Sequence, residues 1–194
     1  ILKEGDTIIE ATSGNTGISL SMMCAERGYN CIIVMPSDMS EERKKMLCFF
    51  GAELVEVGVG DFDEAIELKD KMVKEHGYFT LNQFSNELNI ECHYSTTFQE
   101  ILNDTLRISF DQEISAFIGG TGTGGTLMGL QKGVRKRNMD TKIIVVEPTE
   151  SPVMSGGEKG LHGIQGIGDG SKFLVDLDKV DEVMTISTED AKER

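Results

Sequence analysis

The chain has 194 residues, 39% hydrophobic and 27% charged, ordinary values for a globular protein of one large or two small domains. Its 33 acidic and 19 basic residues give a formal net charge of −14, which argues against a nucleic-acid or anionic-membrane surface, since either needs a basic face. Acidity of this kind serves solubility, so a small anionic ligand would have to be met by local backbone N–H groups. No apolar run reaches membrane-spanning length. The four cysteines, Cys24, Cys31, Cys48 and Cys92, form no CxxC pair and no metal-like spacing with His76, His93 and His162. They read as reduced and mostly structural, with Cys24 and Cys48 in apolar helical patterns, which fits a cytoplasmic protein without a metal site.

The opening Ile1-Leu2-Lys3-Glu4-Gly5-Asp6 reads as the inside of a helix end, so the chain is expected to be an excised or incomplete piece. Strands and helices then alternate. Residues 7–11 form a short buried strand, and residues 17–27 carry apolar side chains at helical spacing, with Gly28 as a stop. Residues 31–35 are a strand closed by Pro36. Ser40 is the expected N-cap of a helix that ends at Gly51, with Arg43 where a capping box would have Glu. A third strand at 53–57 and an amphipathic helix at 61–76, stopped by Gly77, complete three βα steps, which predict a parallel sheet. Asn82-Gln83-Phe84 follows a short extended stretch, and a helix is expected from about 89 to 102. Further on come a strand at 114–118 ending in glycines, a helix at 126–137 with a basic end, and a strand at 142–146 closed by Pro148. The stretch 155–171 is Gly-rich and irregular, a last strand covers 180–186, and a helix starts at 187–190. The domain change is expected near 85–95, giving domains 1–88 and 89–194, and a cleft between two α/β units is the expected site.

Four segments carry candidate chemistry. Gly119-Gly120-Thr121-Gly122-Thr123-Gly124-Gly125-Thr126 follows a strand and opens a helix, where N–H groups are unpaired and the dipole favours an anion. Thr123 and Thr126 add hydroxyls. No Lys stands at the Walker position, so a P-loop NTPase is disfavoured. Gly120-x-Gly122-x-x-Gly125 also matches a dinucleotide fingerprint, with Glu147 as the ribose-binding acid, and this leaves a nucleotide-dependent dehydrogenase open. Thr12-Ser13-Gly14-Asn15-Thr16-Gly17 has the same placement with directed hydroxyls and an amide, which suits a carboxylate beyond what an ordinary cap needs. Asn82-Gln83-Phe84 reads as either a cleft amide or an ordinary turn. In His162-Gly163-Ile164-Gln165-Gly166-Ile167-Gly168-Asp169-Gly170, alternating glycines allow close passage along a planar ligand. There His162 reads first as a packing residue, and Asp169 as a turn former or a site residue.

In order along the chain, Thr12 to Gly17, Met35-Pro36-x-x-Met39-Ser40-x-Glu42-Arg43, Gly51-Ala52-Glu53, Asn82-Gln83-Phe84, Gly122 to Thr126, Val146-Glu147-Pro148 and Ile164 to Gly168 resemble the cysteine synthase (O-acetylserine sulfhydrylase) and cystathionine β-synthase family. The resemblance covers essentially the whole chain. It implies a fold-type II pyridoxal-phosphate (PLP) enzyme of two three-layer αβα units with mainly parallel sheets and the cofactor in the cleft between them. It also implies β-replacement or β-elimination on a small amino acid through an aminoacrylate, in a homodimer. By the same resemblance Thr12, Ser13, Asn15, Thr16 and Gln83 grip the substrate α-carboxylate, with Asn15 also beside the PLP 3′-oxygen. Gly122, Thr123, Gly124, Gly125 and Thr126 hold the PLP phosphate, and Gly166 lines the side-chain end of the cleft. The first domain is the one expected to move, closing as the carboxylate binds.

The family's Schiff-base Lys segment and its pyridine-nitrogen Ser do not appear in this sequence, and no other Lys is promoted in their place; a non-catalytic PLP-binding sensor is therefore kept as a further reading. Asn86-Glu87 stands where Asn-Pro is usual, and Thr97-Phe98-Gln99-Glu100-Ile101 where Thr-Gly-Pro-Glu-Ile is usual. At Asp169 the family commonly has Ala or Tyr. A carboxylate there would act as a general base toward water or a thiol, with cysteine as donor and hydrogen sulfide released, and would repel an incoming sulfide anion.

Overall fold

The structure, a computed structural model, describes residues 2–108 and 113–193. Ile1 lies outside them, and residues 2–6 make a turn at Glu4-Gly5, with Gly5 at φ 87°, where a helix end is expected. The chain divides into two compact units, Ile1–Asn82 and Gln83–Arg194.

In the first unit β1 (Thr7–Ala11), α1 (Asn15–Arg27), β2 (Asn30–Pro36), α2 (Glu41–Phe49), β3 (Glu53–Val57) and α3 (Phe62–His76) alternate along the chain. The strands pair in parallel in the order β1-β2-β3. Both faces of this sheet are covered, so its strands are apolar at successive positions. Ile8, Cys31, Ile33 and Met35 join Leu20, Cys24 and Leu47 of α1 and α2 in one core. Ile9, Ala11, Ile32 and Val34 join Ala65 of α3 in another. Gly28 and Gly77, both left-handed, stop α1 and α3 as the sequence requires.

Three local expectations differ. α1 begins at Asn15, two residues early, because Gly17 and Ile18 already bond back to the Gly14 carbonyl. Ser40 occupies the N-cap of α2 but its side chain makes no cap bond, whereas Asp61 caps α3 by accepting from Glu64 N at 2.8 Å. Cys48 is exposed, as is Cys92; only Cys24 and Cys31 are buried, and burial pushes the Cys24 thiol up to about 12.

The second unit contains α4 (Leu88–Ser95), α5 (Thr97–Ile108), β4 (Ala116–Gly120), α6 (Gly125–Lys136), β5 (Lys142–Pro148), β6 (Glu182–Ile186) and α7 (Thr188–Glu193). Its sheet is parallel in the order β4-β5-β6. The single helix expected over 89–102 is broken at Thr96, where the hydroxyls of Ser95 and Thr96 both bond back to the Cys92 carbonyl. Ile143, Val145 and Val183 pack against Phe98, Leu127, Leu130 and Val134 on one face, while Ile118 and Met184 on the other are exposed.

α4 and α6 meet along glycines. A Cβ on Gly125 would lie 2.0 Å from Asn89 Oδ1, one on Gly129 2.6 Å from His93 Cβ and 2.9 Å from the Ile90 carbonyl, and one on Gly133 2.3 Å from the Phe98 ring. Spaced four residues apart, the three share one helix face, so α4 and the start of α5 rest directly on the α6 backbone. Gly129→Val should destabilise the second unit by about 1–3 kcal/mol through overpacking, read as a lower urea midpoint at unchanged m-value, while Asn103→Ala on the exposed surface of α5 should stay near wild type.

Candidate functional site

β1 delivers the chain to a helix start. Thr12 is buried, donates its N–H to the Val34 carbonyl at 3.0 Å and accepts from Gly14 N–H through Oγ1 at 3.4 Å. Gly17 lets α1 close on it, since a Cβ there would meet Thr12 Cγ2 at 2.9 Å. With Thr12 and Gly17 spent on architecture, the N–H groups of Ser13, Asn15 and Thr16 have no acceptor within the chain among the described residues. The hydroxyls of Ser13 and Thr16 and the Asn15 amide stand beside them at the N-terminus of a thirteen-residue helix. Several directed donors and the positive end of a dipole suit a carboxylate.

Glu10, 1% exposed, supports this segment from below. Its carboxylate accepts from Thr80 Oγ1 at 3.0 Å and from the N–H groups of Leu81 and Asn82 at 2.9 Å each. Asn82 is held left-handed at φ 51°, its Oδ1 accepting from the buried Lys69 ammonium at 2.7 Å. The unit's last residues are thus fixed immediately before Gln83, which is half-buried.

In the second unit β4 runs into a cup. Thr121 is buried and its carbonyl accepts from Gly168 N–H at 3.1 Å. Glycine is obligatory over the next stretch. A Cβ on Gly122 would meet the Gly166 carbonyl oxygen at 2.6 Å, and Gly124, left-handed at φ 87°, would drive one into Val175 at 2.6 Å. The N–H groups of Gly122, Thr123, Gly124 and Thr126 have no acceptor within the chain among the described residues. Thr123 Oγ1 accepts from Gly125 N–H at 3.3 Å and from Asn89 Nδ2 at 3.1 Å. Thr126 Oγ1 pairs with His93 Nε2 at 3.1 Å, and His93 Nδ1 with Thr97 Oγ1 at 2.9 Å. Four N–H groups, two hydroxyls and the start of a twelve-residue helix make a cup whose chemistry suits a phosphate without a lysine or arginine in the loop.

Asn89 and His93 escape motif reading, because nothing local to them signals a site. The legible signal was on the partner helix, as the spacing Gly125, Gly129, Gly133.

The Gly-rich loop lies against the same cup. His162 clasps it, with Nε2 2.9 Å from the Gly168 carbonyl and Nδ1 3.3 Å from Ile164 N–H. Gly166 is exposed and left-handed at φ 86°. Asp169 Oδ2 is 3.8 Å from where a Gly122 Cβ would stand. Asp169 is exposed, and crowding of its carboxyl by the surrounding chain still pushes its pKa above the ordinary value, with His162 pulling the other way.

Glu147 is not available for a ribose. It is 1% exposed, and its carboxylate accepts from Met154 N–H at 2.7 Å, Ser155 N–H at 2.8 Å and Ser155 Oγ at 2.6 Å, tying down the loop after β5. The dinucleotide reading loses its acid.

The profile of the family described as "Pyridoxal-phosphate dependent enzyme" matches residues 2–194. A cysteine synthase of Staphylococcus aureus (strain N315) is 46% identical over 175 residues, 87% of this chain and 54% of the relative. Among solved structures, a cysteine synthase from Entamoeba histolytica has 43% identity and a TM-score of 0.88, covering 98% of this chain and 56% of that one. A hydrogen sulfide-producing enzyme from Fusobacterium nucleatum has 41% identity and a TM-score of 0.89, covering 96% and 57%; an Asp-to-Asn variant of that enzyme has been solved with an α-aminoacrylate intermediate. The chain spans about half the length of the curated relatives it matches. The cup fits the phosphate of the family's cofactor: glycines clear its floor, and its free N–H groups face an anion. With two parallel α/β units and a match over residues 2–194, this chain belongs to the pyridoxal-phosphate-dependent enzymes of fold-type II.

Proposed function

We propose that this protein catalyses β-replacement or β-elimination on a small amino acid in cysteine metabolism. The observation that carries the reading is the presence of two strand-to-helix starts with unpaired N–H groups, one polar and one glycine-lined, matched to two different anions. The first unit takes the substrate: N–H groups and side chains of Ser13, Asn15 and Thr16, on the frame set by Thr12, grip its α-carboxylate, a role also proposed for Gln83, the first residue of the second unit. The second takes the cofactor: Gly122, Thr123, Gly124, Gly125 and Thr126 hold the phosphate of pyridoxal 5′-phosphate. The bound cofactor supplies an electron sink for chemistry at the amino acid's α- and β-carbons. Gly166 leaves room for the substrate side chain. The same likeness supports a cytoplasmic homodimer.

A second reading concerns which reaction is run. Asp169 borders the cup, and a neighbour with 41% identity is a hydrogen sulfide-producing enzyme. In that reading cysteine is the donor, sulfide leaves, and Asp169 takes the proton of the water or thiol that adds at the β-carbon, giving serine or a thioether amino acid. Incubating the full-length protein with cysteine alone and assaying sulfide and serine separates the two. Both products together establish the second reading; brisk O-acetylserine turnover with no sulfide from cysteine sinks it. Asp169→Asn should slow water addition by roughly 10²–10⁴-fold, and unchanged turnover would refute the base role.

A base must be deprotonated, so turnover through Asp169 should fall as pH drops through its raised pKa. A protonated His162 favours the Asp169 carboxylate, so His162→Ala should push that pKa higher and move the acid limb of kcat/KM to higher pH. A limb that stays in place or moves to lower pH would count against the pairing.

A further inference from the structure

We infer that Asn89 is a positioning residue that sets Thr123 as a dedicated donor and ties it to Gln83; this rests on the roles proposed above for those two residues. Asn89 stands in the first turn of α4, half-buried, with its Oδ1 occupying the space that the missing Cβ of Gly125 leaves open. Its amide nitrogen has two hydrogens. One goes to the Gln83 carbonyl at 3.2 Å and the other to Thr123 Oγ1 at 3.1 Å. Thr123 Oγ1 also accepts from Gly125 N–H at 3.3 Å.

A hydroxyl oxygen has two acceptor positions and one hydrogen. With both positions filled, the remaining hydrogen of Thr123 has no acceptor within the chain among the described residues and is left for a ligand. It is therefore oriented before any ligand arrives and matches phosphate oxygens, which only accept. The same amide fixes the backbone of Gln83. A single side chain so couples the order of the phosphate cup to the placement of a carboxylate-gripping residue. Gly125 is what lets it lie there, and the close approach of α4 to α6 is what brings it.

The test uses full-length protein stripped of cofactor and titrated with pyridoxal 5′-phosphate, followed by absorbance, with KM for the amino-acid substrate at saturating cofactor and thermal melting measured alongside. Asn89→Ala should weaken cofactor binding about tenfold, the scale of one hydrogen bond to a charged group, and raise KM more than it lowers kcat. Asn89→Asp keeps the shape but loses the NH₂ donors, and should bind cofactor no better than Asn89→Ala while melting close to wild type. Thr123→Val should weaken binding by a similar factor. The double variant Asn89→Ala/Thr123→Val should bind within about twofold of Thr123→Val alone, because Asn89 acts through that hydroxyl. Additive losses in the double variant, or wild-type cofactor affinity in Asn89→Asp, would overturn the inference and leave the proposed function standing. A wild-type protein that binds no cofactor would overturn the proposed function and the inference with it.

Discussion

A helix cannot hydrogen-bond its own first N–H groups, and in this chain that constraint organises both units. Each sheet is parallel, so β1 and β4 both run directly into a helix, and the unpaired donors of α1 and α6 collect where the strands end. In a core such groups would each cost about 1–3 kcal/mol. Here they face outward, and the chain meets the same need elsewhere with buried carboxylates. Glu10 takes the N–H groups of Leu81 and Asn82, and Glu147 those of Met154 and Ser155. What remains unpaired is what a ligand can use.

This arrangement reconciles anion binding with a net charge of −14. Neither helix start has a lysine or arginine in its loop, and neither needs one, because aligned N–H groups and the helix dipole act over the few ångströms that matter while distant carboxylates are screened by solvent. The loops divide by chemistry. Ser13, Asn15 and Thr16 offer side-chain donors with defined directions, as a planar carboxylate wants. Gly122, Gly124 and Gly125 strip side chains away, which leaves backbone open to a tetrahedral anion. Asp169 sits on the edge of the second site, and an anion held by the Gly122 N–H would disfavour its carboxylate further, in the same direction as its desolvation.

Much of this was legible. Strand spans, the stops at Gly28 and Gly77, and the two strand-to-helix loops depend on contacts within a few residues, and sequence spacing reports those well. The misreadings share a cause. Glu147 follows a strand as a ribose-binding acid would, but the loop at 151–155 folds back over it and takes its carboxylate. The helix expected over 89–102 breaks because two hydroxyl residues, Ser95 and Thr96, both bond back to the Cys92 carbonyl. Cys48 looked apolar by its neighbours yet faces solvent.

The sequence by itself determined where unpaired backbone donors collect, because glycine backbone freedom and helix starts are local properties written at Thr12 to Gly17 and Gly122 to Thr126. Only the tertiary structure decided how those donors are aimed. Asn89 and His93 reach Thr123 and Thr126 from a helix more than thirty residues upstream. They do so because Gly125, Gly129 and Gly133 remove the Cβ atoms that would hold α4 off α6. Sequence spacing shows a glycine-lined helix face, but which helix lies on it is a matter of long-range packing.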